Sequence, residues 1–259
     1  MSELKYIPFE EESPEIKTKV EDYWTERADS FFDQKKHELE SKKAKRWLSE
    51  ILAQIEENFG ARAAAEIKIL DVGCGAGFFT VLLAKEGFDV TGIDLTEKMV
   101  SKAGIMIEVC SPLKGKCHVM NMDAEHLNFA DESFDVIVSR NLTWTLPHPV
   151  NAYEEWARVL KSGGVLINFD AEYAKGAHYL NNQDNPAHRV VSDELKNECH
   201  EIYHMLTISS LDRPEWDEKV LELAGFGTVK TDTEFYKRIY GEKDEFYIPD
   251  KMFMIVARK

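Results

Sequence analysis

One twelve-residue stretch, ILDVGCGAGFFT at residues 69–80, limits the folds open to this chain more than any other feature. An apolar run ends in Asp71, glycines follow at Gly73, Gly75 and Gly77, and an apolar segment of helical character begins at Phe78. A buried strand that turns this quickly into a helix is the first half of a βαβ unit. Glycines let the bend take positive φ and let a ligand approach the bare backbone. The helix start behind them offers unpaired N–H groups. Open α/β sheets bind ligands over the carboxyl ends of their strands, so the loop predicts a small polar ligand there.

The rest of the chain extends the pattern. Apolar runs at 68–72, 89–94, 118–122, 134–140 and 165–170 read as strands. Segments at 78–85, 98–109 and 151–160 read as helices in three of the gaps, the alternation that gives a parallel sheet. Beyond Asp170 the pattern breaks for about forty residues, with 190–208 read as helical and a helix restarting at Arg213-Pro214. Two final runs, 227–235 and 251–257, read as strands joined by a charged loop at 240–250. Without a crossover such strands pair antiparallel. The predicted fold is therefore α/β, a Rossmann-like doubly wound seven-stranded sheet of five parallel strands plus a C-terminal antiparallel pair. Ahead of it, Ser13-Pro14 opens a helix over 13–33 carrying Ile16, Val20, Trp24, Ala28 and Phe31, and a second helix spans 38–59 and stops at Gly60.

Charge narrows the partners. The 259 residues carry 32 Lys plus Arg against 47 Asp plus Glu, a formal charge of −15, which opposes binding to a polyanion. The basic clusters at Lys35-Lys36 and Lys42–Arg46 sit among glutamates and read as one solvated helix face. Cys74, Cys110, Cys117 and Cys199 are scattered without a CxxC pair, which suggests neither a zinc cluster nor a disulfide framework. His200 and His204 share a helix face, but no acidic or cysteine partner stands at ligand spacing, so no metal is expected. No run approaches the ~18 apolar residues of a membrane helix, and the opening MSELKYIPFEEE lacks the regions of a secretory signal. A cytoplasmic protein with no nucleic-acid or membrane partner is the expectation; oligomeric state is not readable.

The glycine spacing discriminates between ligands. A dinucleotide fingerprint, G-x-G-x-x-G, needs its third glycine where this chain has Phe78. Asp71 would oppose a pyrophosphate and suits a ligand with a cationic head. Asp94, twenty-one residues after Gly73, ends the second strand in position to accept both hydroxyls of a ribose.

With these residues the chain resembles the class I S-adenosylmethionine-dependent methyltransferases, of the small-molecule, methyltransferase-11-like type. DVGCGAG at 71–77, GIDLTEKM at 92–99, MDAEHLNFADESFDVIVSR at 122–140, LKSGGVLI at 160–167 and the terminal strand pair carry the resemblance. It implies that Gly73 and Gly75 line the methionine moiety of S-adenosylmethionine, with Asp71 near its ammonium. Asp94 would hold the ribose, Leu95 and Met99 would pack the adenine, and Asp123 with the Ala124 backbone would meet its edge. Asn141 would face the methyl end. In many small-molecule members an N-terminal helix closes over the cofactor, so Arg27 could pair with the methionine carboxylate and Tyr23 donate a hydrogen bond; a core-facing stripe with a solvated arginine is the competing reading. The implied organisation is a helical cap at 1–60 and a methyltransferase domain at 61–259 with a lid insertion at 171–212.

Methyl transfer needs orientation and exclusion of water more than acid–base chemistry, so no catalytic residue is dictated. Acceptor contacts must come from loops at the carboxyl edge: Asn141, Thr143, Trp144 and His148 after the fourth strand, and Asp170, Glu172, Tyr173, His178 and Tyr179 after the fifth. Trp144, Tyr173 and His178 are favoured as a group for a small-molecule acceptor. Two other functions fit parts of the pattern: a non-catalytic sensor or scaffold that binds the same cofactor, and an NAD-dependent dehydrogenase, against which Phe78 and the terminal strand pair argue.

Overall fold

The computed structural model describes residues 14–60, 62–177, 186 and 191–259. Its frame is a seven-stranded sheet in the order β3-β2-β1-β4-β5-β7-β6. Strands β1 (Lys68–Val72), β2 (Asp89–Asp94), β3 (Cys117–Asn121), β4 (Phe134–Arg140) and β5 (Leu160–Asp170) run parallel. β7 (Phe253–Arg258) inserts antiparallel between β5 and β6 (Thr228–Asp232). The central strands are apolar on both faces because helices cover both. On one face α2 (Lys42–Phe59) and α3 (Phe78–Glu86) pack Trp47, Ile51, Phe79 and Leu83 onto Ile69, Val136 and Val138. On the other, α5 (Pro149–Val159) and α8 (Glu215–Leu223) pack Tyr153, Trp156 and Val220 onto Leu70, Ile137 and Leu166. α4 (Glu97–Cys110) lies beside α3 and β3.

The first helix, α1 (Pro14–Leu39), is longer than its predicted 13–33 and crosses α4, α3, α2 and α7 (Asp193–Met205). Ser13, read as its cap, lies outside the described residues. The second helix starts later than expected, at Lys42, because Ser41 caps it by accepting the Lys43 N–H at 3.1 Å. That break corrects the reading of the basic clusters as one solvated face. Lys35 and Lys43 fall on different helices and both are buried, their ammonium groups lying over the Phe31 and Tyr240 rings and paired with Glu38 and Asp244.

Three other boundaries move. The 118–122 run pairs one residue earlier, β5 begins at Leu160 through an irregularity in its register with β4, and 227–235 is strand only over β6. Phe235 instead leads into α9 (Tyr236–Tyr240), where Phe235, Ile239 and Tyr240 lie at helical spacing and are buried, Phe235 and Tyr240 against Trp47. The insertion after β5 holds the short α6 (Tyr173–Ala177), then α7 and a 3-10 turn at Thr207–Ser210. Among the described residues no helix is long and apolar enough to cross a membrane.

A buried ion cluster ties that insertion to the sheet. Arg213 donates to Asp217 at 2.8 Å, to Thr143 Oγ1 at 2.7 Å and to Asp170 at 3.3 Å, and Tyr153 donates to Asp217 at 2.5 Å. Arg213, Asp170 and Asp217 are all buried, so removing the cation strands two carboxylates away from water. Arg213→Met is expected to lower the unfolding free energy by about 3–5 kcal/mol, read from urea denaturation.

Candidate active site

At the carboxyl edge of the sheet the glycine loop takes the conformation its composition predicts. Gly73 and Gly75 sit at φ +68° and +52°. A Cβ on Gly73 would stand 2.8 Å from the Leu142 side chain, and one on Gly75 would stand 2.9 Å from Phe31 of α1. Both positions therefore need glycine for backbone shape and for space. Phe78, where a dinucleotide fingerprint has glycine, is buried beside Phe79 and the Arg140 guanidinium.

Asp94 fixes the loop from the neighbouring strand. Its Oδ2 accepts the Gly75 N–H at 2.9 Å, and its Oδ1 accepts the Thr96 N–H and hydroxyl at 3.0 Å. Thr96 in turn caps α4 by accepting the Met99 N–H at 3.3 Å. Asp71 is buried and accepts the Thr80 hydroxyl at 2.6 Å. Burial lifts its carboxyl from the ordinary 3.8 to about 7, more than the Thr80 bonds pull it down. The folded chain thus holds a proton that the unfolded chain releases near 3.8, and the stability linked to it is lost as pH rises through 7.

A cavity of about 170 Å³ opens over this loop, more than ten times the space one water needs. It is lined by Gly73, Gly75, Asp71 and Asp94, and beyond them by Leu95, Met99, Asp123 and Ala124. Asn141, Trp144 and Tyr173 close it from the β4 and β5 loops, and Tyr23 and Arg27 close it from α1. The structure therefore brings together every cofactor-contact residue named from the sequence, with Trp144 and Tyr173 of the favoured acceptor group; His178 lies outside the described residues, as does Tyr179. Asn141 stands at φ +57°, its Oδ1 accepting the Tyr173 hydroxyl at 2.8 Å. The Trp144 ring packs edge-on against Trp24 and Tyr173 and tilts over Tyr203. Arg27 is buried, not solvated: its Nη1 donates to Ser30 at 2.5 Å, and its Nε has no partner among the described residues.

The other loop candidates are engaged elsewhere. Thr143 and Asp170 belong to the Arg213 cluster, Glu172 pairs with Lys175, and His148 contacts Glu125 at 3.2 Å. His200 and His204 face each other at 3.1 Å on an exposed stretch of α7.

Four ionic residues at the cavity or against it escaped the sequence reading. Lys17 reaches from α1 to Asp123 at 2.5 Å and also to Glu125, pinning the helix over the third-strand loop. Lys35 and Arg140 line the cavity, both bonded to Glu38. Burial and then the Arg140 charge push the Lys35 ammonium down to about 8. Burial would raise the Glu38 carboxyl, but Arg140 and Lys35 outweigh it and hold it at about 2. Extending the Arg27–Phe31 spacing by one turn reaches Lys35, so the α1 signal was present. Arg140 and Glu38 gave none, being an ordinary strand end and an ordinary helix glutamate.

The comparisons agree with this edge of the sheet. The methyltransferase domain family matches residues 70–168. An S-adenosyl-L-methionine-dependent Diels-Alderase from Neonectria sp. is 31% identical over 164 residues, covering 63% of this chain and 59% of that protein. A phosphatidylethanolamine N-methyltransferase from Cereibacter sphaeroides is 32% identical over 136 residues, covering 49% of this chain and 65% of that one. The chain thus spans about three fifths of the length of such curated relatives. A crystal structure of a putative S-adenosyl-L-methionine-dependent methyltransferase from Methanococcus maripaludis shares the fold at TM-score 0.54 and 18% identity, over 91% of this chain and 93% of that one. A matching domain that begins at the glycine loop, relatives of that type and the inserted antiparallel β7 lead to one conclusion: residues 70–168 carry a methyltransferase domain, in a chain with the fold of the class I S-adenosylmethionine-dependent methyltransferases.

Proposed function

We propose that this protein transfers a methyl group from S-adenosylmethionine to a small-molecule acceptor, and that the cavity between α1, α7 and the sheet edge holds both. The observation that carries the reading is convergence: residues spread from Tyr23 to Tyr173 line one cavity over the glycine loop. The residues fit the cofactor. The floor at Gly73 and Gly75 is bare backbone that a Cβ would obstruct. Asp94 holds its carboxylate rigidly at the end of β2, and Oδ2, which accepts a single N–H, keeps a lone pair for a ribose hydroxyl. Leu95 and Met99 offer an apolar face to the adenine, and Asp123 and Ala124 lie at its edge. Arg27 keeps a buried Nε, without a partner among the described residues, for the methionine carboxylate, with Tyr23 one turn earlier. Asp71 suits the ammonium, and Asn141 with Trp144 and Tyr173 bounds the far end.

When bound, the cofactor supplies a methyl group on a sulfonium, open to in-line displacement. The chain's own task is orientation and dryness. Trp24, Trp144, Tyr173 and Tyr203 present rings to the cavity and exclude water from it. Among the described elements α1 and α2 act as a cap and α6 and α7 as a lid, and Lys17 latches the cap across Asp123 and Glu125. No general base is assigned; one is needed only for an acceptor protonated at working pH. The acidic surface agrees with a small acceptor and no nucleic-acid or membrane partner, in the cytoplasm.

Calorimetry with S-adenosylhomocysteine is expected to give one-to-one binding with a Kd between about 1 μM and 1 mM, and labelled S-adenosylmethionine is expected to yield methylated product from a panel of small acceptors. Absence of binding by either nucleoside overturns the reading; binding without turnover on any acceptor leaves a sensor. Because the ligand ammonium must displace the proton held by Asp71, affinity is expected to rise about tenfold from pH 6 to pH 8, and Asp71→Asn to flatten that rise. Lys17→Met is expected to speed hydrogen exchange in the first turns of α1 by about 5–30-fold, the loss of a partly exposed charged contact of about 1–2 kcal/mol.

A further inference from the structure

The cavity holds more positive charge than the cofactor reading uses. Lys35 and Arg140 have side chains only 8% and 9% exposed, and Glu38, which they share, is 2% exposed. Two cations against one carboxylate leave a buried surplus of one positive charge, the kind of imbalance a folded interior keeps only for a partner. Arg140 is rigid, its guanidinium 4.1 Å from the Trp47 ring centre and 5.1 Å from that of Phe78. Its Nη2 donates to Glu38 at 2.9 Å and to the Tyr240 hydroxyl at 3.4 Å. Its Nε and Nη1 are buried and have no partner among the described residues.

The cofactor's own charges are matched without this pair: its carboxylate by Arg27, its ammonium by Asp71. That leaves the surplus at Lys35 and Arg140 for the other occupant. A run of rings connects the pair to the far wall. Lys35 sits 5.1 Å from the Phe31 ring centre, Phe31 meets Trp24 at 5.6 Å, Trp24 meets Trp144 at 6.5 Å, and Trp144 meets Tyr203 at 4.8 Å. The Trp144 Nε1 is a further buried donor without a partner among the described residues. A cationic end continuous with an aromatic wall is complementary to an acid group on a flat apolar body.

We propose that Lys35 and Arg140 form an anion subsite for the methyl acceptor, and that the acceptor is an aromatic carboxylic acid whose ring lies along Trp24 and Trp144. The inference rests on the cofactor reading above. The test titrates the protein saturated with S-adenosylhomocysteine with benzoate, 4-hydroxybenzoate, cinnamate and indole-3-acetate, each beside its primary amide. At least one acid is expected to bind about tenfold or more tightly than its amide, and Lys35→Met and Arg140→Gln are expected to reduce that preference below about threefold. Lys35→Met keeps the Arg140–Glu38 pair, so it decides the matter if Arg140→Gln does not fold. Equal binding of acids and amides, no binding of any, or a preference that survives both substitutions overturns the proposal. So does a loss of S-adenosylhomocysteine affinity in the variants with 5′-methylthioadenosine affinity retained, since the pair would then hold the cofactor's carboxylate. Failure of the unsubstituted protein to bind S-adenosylhomocysteine at all condemns the cofactor reading instead.

Discussion

The Asp94 carboxylate is the contact on which the site depends. It gathers the Gly75 N–H, the Thr96 N–H and the Thr96 hydroxyl, and so joins the bend after β1 to the start of α4. Three donors on one carboxylate set the loop's shape before any ligand arrives, which is where preorganisation comes from. The carboxyl is half-buried, and its desolvation raises its pKa against the Thr96 and Gly75 bonds that lower it. Oδ2 keeps acceptor capacity and Asp94 lines the cavity, so one group serves both the fold and the proposed ribose contact.

Around that anchor the interior reverses the sign of the surface. The chain is strongly acidic, yet Arg27, Lys35 and Arg140 converge where α1 crosses the sheet edge. Charges placed there act at low dielectric and are screened little by salt. Their positions follow from packing: α1 lays Phe31 on Gly75, α2 brings Trp47 under Arg140, and α9 supplies the Tyr240 hydroxyl. The helices ahead of the sheet, Arg140 at the end of β4 and the segment before β7 therefore build the proposed acceptor end, while the ends of β1 and β2 build the proposed nucleoside end.

That division explains what was legible in the amino-acid order. The nucleoside end is local: Gly73, Gly75 and Asp94 lie in two consecutive strand–loop units, and each is demanded by backbone shape or by a strand terminus. The parallel strands and the final antiparallel pair were likewise legible from period and spacing. The acceptor end is assembled across the chain. Arg140 meets Glu38 across about a hundred residues, and nothing in either neighbourhood marks them as partners. Lys35 looked solvated because lysines usually are; its burial depends on the aromatic rings that surround it in three dimensions. Phe235 was mistaken for strand because a short helix of five residues leaves too few turns for its period to stand out.

The most direct test of the account is the affinity of Asp94→Ala for S-adenosylhomocysteine, measured calorimetrically beside the unsubstituted protein with circular dichroism to confirm the fold. Loss of a charge-assisted hydrogen bond predicts affinity at least about tenfold weaker. Equal affinity in a folded variant would contradict the placement of the nucleoside over this loop.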